Sequence, residues 1–271
     1  MLKKQRLLDP DFQILWDKIK RKTRSAVKFT TAELVARSAG ELNGMPEIKA
    51  PFIRREKHEL FMSRKEGVFG EERAAQTFRE PELTRPTLAE ILQKSERLDE
   101  VTRYPQQFLE HAVAAVQKSL HDLMVQGIEY EQIADAEWEM HRLESAELES
   151  CVTRLLEVRH SLYDVVEFES KVELEFARAL DARTDIKLLF KLPDWFKVET
   201  PLGTYNPDWA VVREEPDGQN KVYLVRETKG TTDWLKIPEL QRKKIQCGKA
   251  HFKAVGLKDG GYDWVASAGA V

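Results

Sequence analysis

The sequence is poor in cysteine, which limits the cross-links and metal sites it can form. Only Cys151 and Cys247 occur among its 271 residues, and neither lies in a Cys-x-x-Cys pair or in a Cys/His arrangement with zinc spacing. We therefore expect no structural zinc site. We expect the two thiols to be reduced and buried.

Long apolar runs and targeting signals are missing as well. Uninterrupted apolar stretches such as WAVV are far shorter than the roughly 18 residues of a membrane-spanning helix. The first residues, MLKKQRLLDPDF, contain neither the apolar stretch nor the small-residue cleavage site of a signal peptide. These absences predict a cytoplasmic protein.

Two phosphate-binding patterns are also absent. Neither GxxxxGK[ST] nor GxGxxG occurs, so an ATPase that works with this protein has to lie elsewhere. The formal net charge of -3 argues against a general polyanion binder. The local distribution of charge is therefore more informative than its sum.

Residue patterns predict an α/β (α+β) protein with two regions. Residues 1–163 are expected to be a mainly helical linker or docking region, with a helix capped by Asp9, a capping box of Thr87 with Glu90, and helix again over 130–163. The mixed segment 47–71 suggests a strand pair or an irregular crossover. Residues 164–271 should form a sheet flanked by helices, because SKVELEFARALDA has helical periodicity and IKLLFKL, WFKVETP, DWAVVRE, KVYLVRET and YDWVAS are typical of strands.

Two of these strands should bring charged side chains together. If DWAVVRE and KVYLVRET form a hairpin around EPDGQN with Glu214 opposite Lys221, Asp208 faces Glu227, because the numbers of antiparallel partners have a constant sum. Side chains alternate along a strand, so Lys229 shares the face of Glu227. Two carboxylates and an ammonium group then converge at one end of the hairpin.

This convergence suits hydrolysis of a phosphodiester with Mg²⁺. Two carboxylates can hold the ion, and a nearby lysine can orient a water or stabilise charge on phosphoryl oxygens. Glu173 could supply a further oxygen, because it shares a helical stripe with Phe176 and Leu180 that should face the sheet. The simpler alternative is a solvent-facing cross-strand ion pair. The apolar faces of KVYLVRETKG favour a central strand, where tip charges lie in a cleft.

These residues resemble a known nuclease motif. NPDW followed by ETKG is similar to the PD-(D/E)xK motif, and residues 163–256 resemble the C-terminal endonuclease domain of the restriction (Res) subunit of type III restriction-modification enzymes. The resemblance implies a mixed sheet and cleavage of double-stranded DNA with Mg²⁺. It implies that Asp208 and Glu227 are metal ligands and Lys229 the catalytic lysine. Glu173, with Glu175 as fallback, would be the helix acid and a third ligand.

The same resemblance implies partners. In that family a DNA-methyltransferase (Mod) subunit reads the sequence, and a helicase-like ATPase precedes the nuclease in the same subunit. This chain has none of the ATPase motifs, so ATP use cannot be assigned to its residues. We expect a C-terminal fragment or a split or truncated gene product.

A basic segment follows the motif, and it gives the predicted DNA contacts. WLKIPELQRKKIQCGKAHFKAVG should form a helix from about Pro238 whose polar side chains contact phosphates, or else are simply solvated. The candidates are Lys236, Gln241, Lys243, Lys244 and Lys249. His251, beside Phe252, is expected to be structural, and Trp209 to be in the core. Trp234 could contact a base or cover the sheet edge.

Three functions remain open from the sequence. The first is an endonuclease within a restriction complex. The second is an end-dependent DNA nuclease of a repair or recombination helicase. The third is a docking module of the same fold whose site is catalytically unused.

Overall fold

The structure is a computed structural model that describes residues 2–48, 83–144 and 154–271. Within these ranges the chain forms seven α-helices and eight strands. In chain order these are α1 Pro10–Ile19, β1 Arg21–Val27, α2 Thr31–Gly44, α3 Arg85–Lys94, α4 Leu98–Arg103, α5 Pro105–Gln126, β2 Ile128–Glu137, β3 Leu155–Glu157, β4 Val165–Glu167, α6 Lys171–Asp181, β5 Ile186–Lys191, β6 Trp209–Glu214, β7 Lys221–Thr228, α7 Glu239–Ala254 and β8 Tyr262–Val265. In the described residues, no helix has the length and apolar character required to cross a membrane.

The central element is a mixed sheet with strand order β5-β6-β7-β8. Strands β5, β6 and β7 are antiparallel neighbours, and β8 joins β7 in parallel after the α7 crossover. The β6–β7 register pairs Glu214 with Lys221 and Trp209 with Arg226, as the constant-sum argument requires. The predicted class, a mixed sheet flanked by helices as in restriction endonucleases, is confirmed.

Helices cover both faces of this sheet. On one face, Phe12 and Trp16 of α1 and Phe252 of α7 pack with Phe190 and Val225. Asp9 caps α1 by accepting a hydrogen bond from the backbone N–H of residue 11 at 2.9 Å, and the predicted apolar stripe of α1 is fully buried. On the other face, α6 packs Phe176 and Leu180 in a cluster with Trp209. Full burial of each large side chain contributes about 2 to 3 kcal/mol.

Described by itself, the unit Lys28–Met124 is helical. Its core joins Leu42 of α2 to Phe108 and Ala115 of α5. A capping box occurs at the start of α2, where Thr30 and Glu33 exchange hydrogen bonds. The box predicted at Thr87 is wrong, because α3 begins two residues earlier with Thr84 as its N-cap.

The other compact unit combines Met1–Val27 with Val125–Val271. The boundary predicted near residue 163 falls inside this unit, because α1 packs on the same sheet as β5 to β7. The functional division into a docking region over 1–163 and a nuclease domain over 164–271 stays a prediction. Cys151 and most of segment 47–71 lie outside the described residues.

Two predictions of secondary structure are wrong. The described part of 130–163 contains a 3-10 turn at Met140–Leu143 but no α-helix, and β2 instead pairs with β1, where Arg24 contacts Glu131 at 2.9 Å. The glutamates of this strand gain basic cross-strand partners that its own sequence does not reveal. WFKVETP is not a strand either, since Val198 makes only an isolated bridge with Tyr205.

Candidate active site

Asp208 lies immediately before β6, at the edge where β5 and β7 also end. Its backbone oxygen accepts a hydrogen bond from the N–H of Leu192 at 2.8 Å, which attaches it to the end of β5. Its carboxylate is oriented by Thr228, whose backbone N–H and hydroxyl both donate to Oδ2, at 2.6 and 2.5 Å. The other oxygen, Oδ1, accepts no hydrogen bond from any residue that the structure describes. It therefore stays available to a ligand.

Glu227 is buried, with 5% of its surface exposed, one residue before the end of β7. Lys229 places its Nζ atom 2.7 Å from Oε1, and the Tyr205 hydroxyl donates to Oε2 at 2.5 Å. The hydroxyl of Tyr262, on β8, is 2.5 Å from that of Tyr205. Because the single Tyr205 proton goes to Glu227, we assign Tyr262 as the donor in this second bond. Three side chains thus fix one carboxylate.

Helix α7 packs directly over this tyrosine pair. A Cβ atom at Gly248 would lie 2.8 Å from Cε1 of Tyr205 and 2.9 Å from the hydroxyl oxygen of Tyr262, closer than real Cβ contacts. Glycine is therefore the residue that lets the helix approach the two rings. The packing holds Tyr205 in position to bond Glu227.

The two carboxylates repel each other in a site that water scarcely reaches. Burial, and after it the charge of Asp208, raise the pKa of Glu227 to about 7, although Lys229 and Tyr205 act in the opposite direction. Burial also raises the pKa of Asp208, against the lowering effect of its two bonds from Thr228. A bound cation would relieve both costs.

Glu173 lies on α6, buried on the stripe predicted to face the sheet. Its carboxylate closes the helix N-terminus, accepting from the Ser170 hydroxyl at 3.0 Å and from the Glu169 N–H at 3.2 Å. It also accepts from Lys191 Nζ at 2.8 Å. The fallback residue, Glu175, is on the exposed side of α6 with a 63% exposed side chain. Of the two candidates, the structure brings only Glu173 towards Asp208, whose pKa its charge raises.

The donor atoms of the site match the chemistry of Mg²⁺. Asp208 and Glu227 offer carboxylate oxygens, which this ion prefers, and it commonly uses only one or two of them beside water and phosphate. Among the described residues, no three His, Cys, Asp or Glu side chains form a group that could hold a metal ion. The residues therefore fit an open two-carboxylate site and do not form a closed protein-only cage.

The predicted DNA-contacting side chains on and before α7 differ in accessibility. Lys236, Gln241 and Lys249 are exposed. Lys243 is buried and pairs with Glu239 at 2.7 Å, and Lys244 donates to the carbonyl of Thr204 at 2.9 Å. The DNA role of all five stays a prediction, and the exposed three are the ones that can reach a phosphate without breaking an observed contact.

The aromatic residues near the site are buried or packed against another ring. His251 is buried, with its Nδ1 atom 2.8 Å from the Thr23 hydroxyl, and burial lowers its pKa to about 3. It is structural in this fold. Trp209 is fully buried, as predicted. Trp234 lies in a 3-10 turn and packs on Trp264 of β8, with ring centroids 5.5 Å apart, so it covers the sheet.

Four residues of the site were missed from the sequence. Thr228 and Tyr205 are three residues or fewer from a predicted ligand, but their hydroxyls carry no spacing signal. Tyr262 is 35 residues after Glu227 and reaches it only because β8 returns parallel to β7. Lys191 could have been noted as a lone cation at the end of an apolar strand.

Comparison with known proteins agrees with this geometry. A family model described as an endonuclease domain matches residues 159–266, which include the whole site. No curated protein and no solved structure matches the chain. This match supports a restriction-endonuclease-like domain with nuclease activity over these residues.

Proposed function

We propose that this protein is a Mg²⁺-dependent endonuclease that cleaves double-stranded DNA within a type III restriction-modification complex. The observation that carries the proposal is the convergence of Asp208, Glu227 and Lys229 at one edge of the sheet, inside the region matched by the endonuclease family model. Buried like charges beside a lysine are costly for folding, which favours a catalytic explanation over a surface ion pair.

The protein's own groups have distinct tasks in this proposal. Thr228 fixes Asp208 through Oδ2, which leaves Oδ1 for a ligand, while Tyr205 and Lys229 fix Glu227. Bound to these two carboxylates, Mg²⁺ would lower the pKa of a coordinated water and neutralise charge on the scissile phosphate. Lys229, whose side chain is 21% exposed, can turn its remaining N–H groups towards a water or a phosphoryl oxygen. Its ammonium group stabilises the negative charge that develops as the P–O bond breaks.

The remaining parts of the proposal concern the complex. The type III resemblance supports a methyltransferase (Mod) subunit as the reader of the DNA sequence and a helicase-like ATPase, on another chain or segment, as the user of ATP. Residues 1–163 would be the linker or docking region for these partners. Such a complex acts on DNA in the cytoplasm.

The decisive experiment is cleavage of supercoiled circular DNA in Mg²⁺, with the methyltransferase and ATPase supplied. Asp208→Ala and Lys229→Ala should each abolish cleavage. Glu175→Ala and Lys187→Ala remove a carboxylate and an ammonium group from exposed or distant positions and should cut like the wild type.

The outcomes separate the three candidate functions. Loss of cleavage in the site variants alone supports the endonuclease. Degradation restricted to linear DNA would indicate the end-dependent nuclease instead. Full cleavage by both site variants would refute the site, and DNA binding without any cleavage by the complete assembly would support the docking module.

A further inference from the structure

Lys191 lies beside the proposed metal site without belonging to the nuclease motif. It is the last residue of β5 and pairs with Trp209 of β6, the residue after Asp208. The backbone N–H of the next residue bonds the Asp208 carbonyl at 2.8 Å. The end of β5 is therefore fixed directly next to Asp208, and the lysine side chain extends from it towards α6.

The ammonium group of Lys191 is surrounded by carboxylates. Its Nζ atom is 2.8 Å from Oε2 of Glu173 and 3.5 Å from Oε1 of Glu169, and the side chain is only 19% exposed. Burial by itself would lower the pKa of this lysine. The hydrogen bond and charge of Glu173, with the charges of Glu169 and Asp208, raise the pKa on balance. The group is thus a permanent positive charge.

A cation is required at this position for electrostatic reasons. Glu173 is buried, with its Oε2 atom 2.8 Å from Lys191 Nζ, and a buried carboxylate without a nearby positive charge is costly. Either a divalent ion or a lysine can supply that charge. A lysine tethered to β5 has the advantage of a high effective concentration, which a free ion at millimolar levels lacks.

The charge balance also favours a single divalent ion. With both metal ligands deprotonated, Glu173, Asp208 and Glu227 carry three negative charges against the two ammonium groups of Lys191 and Lys229. Glu169 is left out of this count because its side chain is 74% exposed to solvent. One Mg²⁺ changes the net charge of this set from one negative to one positive. A second would leave three positive charges in a buried site, which is costly without a further anion.

We propose that the ammonium group of Lys191 takes the place of a second metal ion beside Glu173, so that the domain binds one divalent ion on Asp208 and Glu227. The inference rests on the proposed metal site. It changes the assignment of Glu173 from metal ligand to partner of Lys191. Lys191 is thus a positioning residue for the acidic cluster.

The test counts bound ions by titrating the full chain with Mn²⁺ without DNA. Calorimetry gives the stoichiometry, and the electron paramagnetic resonance of free Mn²⁺ measures the unbound fraction. The wild type should bind one ion per chain. Lys191→Met should bind two, because it removes the charge and exposes Glu173 to a ligand. Lys191→Met combined with Glu173→Gln should return the count to one.

Two controls guard against a folding defect. Lys187→Met changes a lysine of the same strand that pairs with Glu214 at 2.7 Å instead, and it should bind one ion. Lys191→Gln keeps a hydrogen-bond donor for Glu173 without the charge and should bind two ions, like Lys191→Met. Circular dichroism shows which variants are folded.

The results distinguish failure of this inference from failure of the proposed function. A wild type that binds two ions, or folded Lys191 variants that bind one, would overturn the role of Lys191 and leave the metal site intact. A wild type that binds no Mn²⁺, or binds it equally well after Asp208→Asn, would overturn the metal site itself. If the Lys191–Glu173 ion pair is purely structural, the Lys191 variants should change in stability but bind the same number of Mn²⁺ ions as the wild type.

Discussion

The raised pKa of Glu227 makes a quantitative prediction about stability. In the folded protein the pKa is about 7, against an ordinary value of 4.5, because the carboxyl is buried beside Asp208. An acid whose pKa is raised by folding stabilises the fold when protonated, so the contribution is complete below pH 4.5 and is lost as pH rises through 7. At about 1.4 kcal/mol per pKa unit, the whole change is about 3 kcal/mol.

The substitution Glu227→Gln removes this titration while keeping the shape of the side chain. In EDTA, the wild type should lose about 2 to 3 kcal/mol of unfolding free energy between pH 5 and pH 8 relative to this variant. The assay is urea unfolding followed by tryptophan fluorescence. Glu214→Gln, at the opposite end of the same hairpin, is the control: it shows whether removing any carboxylate from this sheet changes the pH dependence of stability.

Added Mg²⁺ supplies the second half of this test. A ligand that binds only the folded state stabilises it in proportion to the logarithm of its concentration. Millimolar Mg²⁺ at pH 8 should therefore raise the stability of the wild type and leave Glu227→Gln almost unchanged. A wild type and variant that respond in parallel to pH would refute the argument from burial and charge repulsion.

Three further predictions concern the residues around the carboxylates and the basic helix. Gly248→Ala should destabilise the fold by about 1 to 3 kcal/mol in urea unfolding, because its methyl group would overlap Tyr205. Gly40→Ala, with open space around it, should stabilise α2 by up to about 1 kcal/mol. Equal effects of the two substitutions would contradict the close approach of α7 to Tyr205. Tyr205→Phe should weaken Mn²⁺ binding measured by calorimetry about threefold to tenfold at pH 7, since Glu227 loses a donor to its charged form; unchanged affinity would count against a positioning role. Lys249→Gln should reduce the slope of log affinity against log salt for duplex DNA by about 1 in fluorescence anisotropy, and an unaltered slope would exclude a phosphate contact.

The hairpin and its charged end were predictable because they depend on local rules. The turn residues of EPDGQN and the strict alternation of strand side chains set the register that pairs Glu214 with Lys221. That register alone is sufficient to place Asp208 opposite Glu227. The buried faces of α1 and α6 were also predictable, because the apolar stripe of each lies within one helix; both stripes are buried as predicted.

Other features depended on partners distant in the chain. The glutamate-rich pattern of β2 is typical of an exposed helix. Its strand structure depends on pairing with β1, which lies more than 100 residues away in sequence. The prediction of a capping box at Thr87 was wrong for a local reason, because Thr84 is the N-cap of the same helix.

The sequence by itself determined the four strands of the central sheet, the register of β6 with β7 and the identity of the acidic and basic groups at the strand ends, because alternation and turn chemistry act over a few residues. Only the tertiary structure decided how those groups are held. It placed Tyr262 beside Tyr205 through a parallel crossover, Gly248 against both rings, and Lys191 on Glu173. Hydrogen bonds and charges between distant segments depend on packing of the whole sheet, which no local pattern specifies.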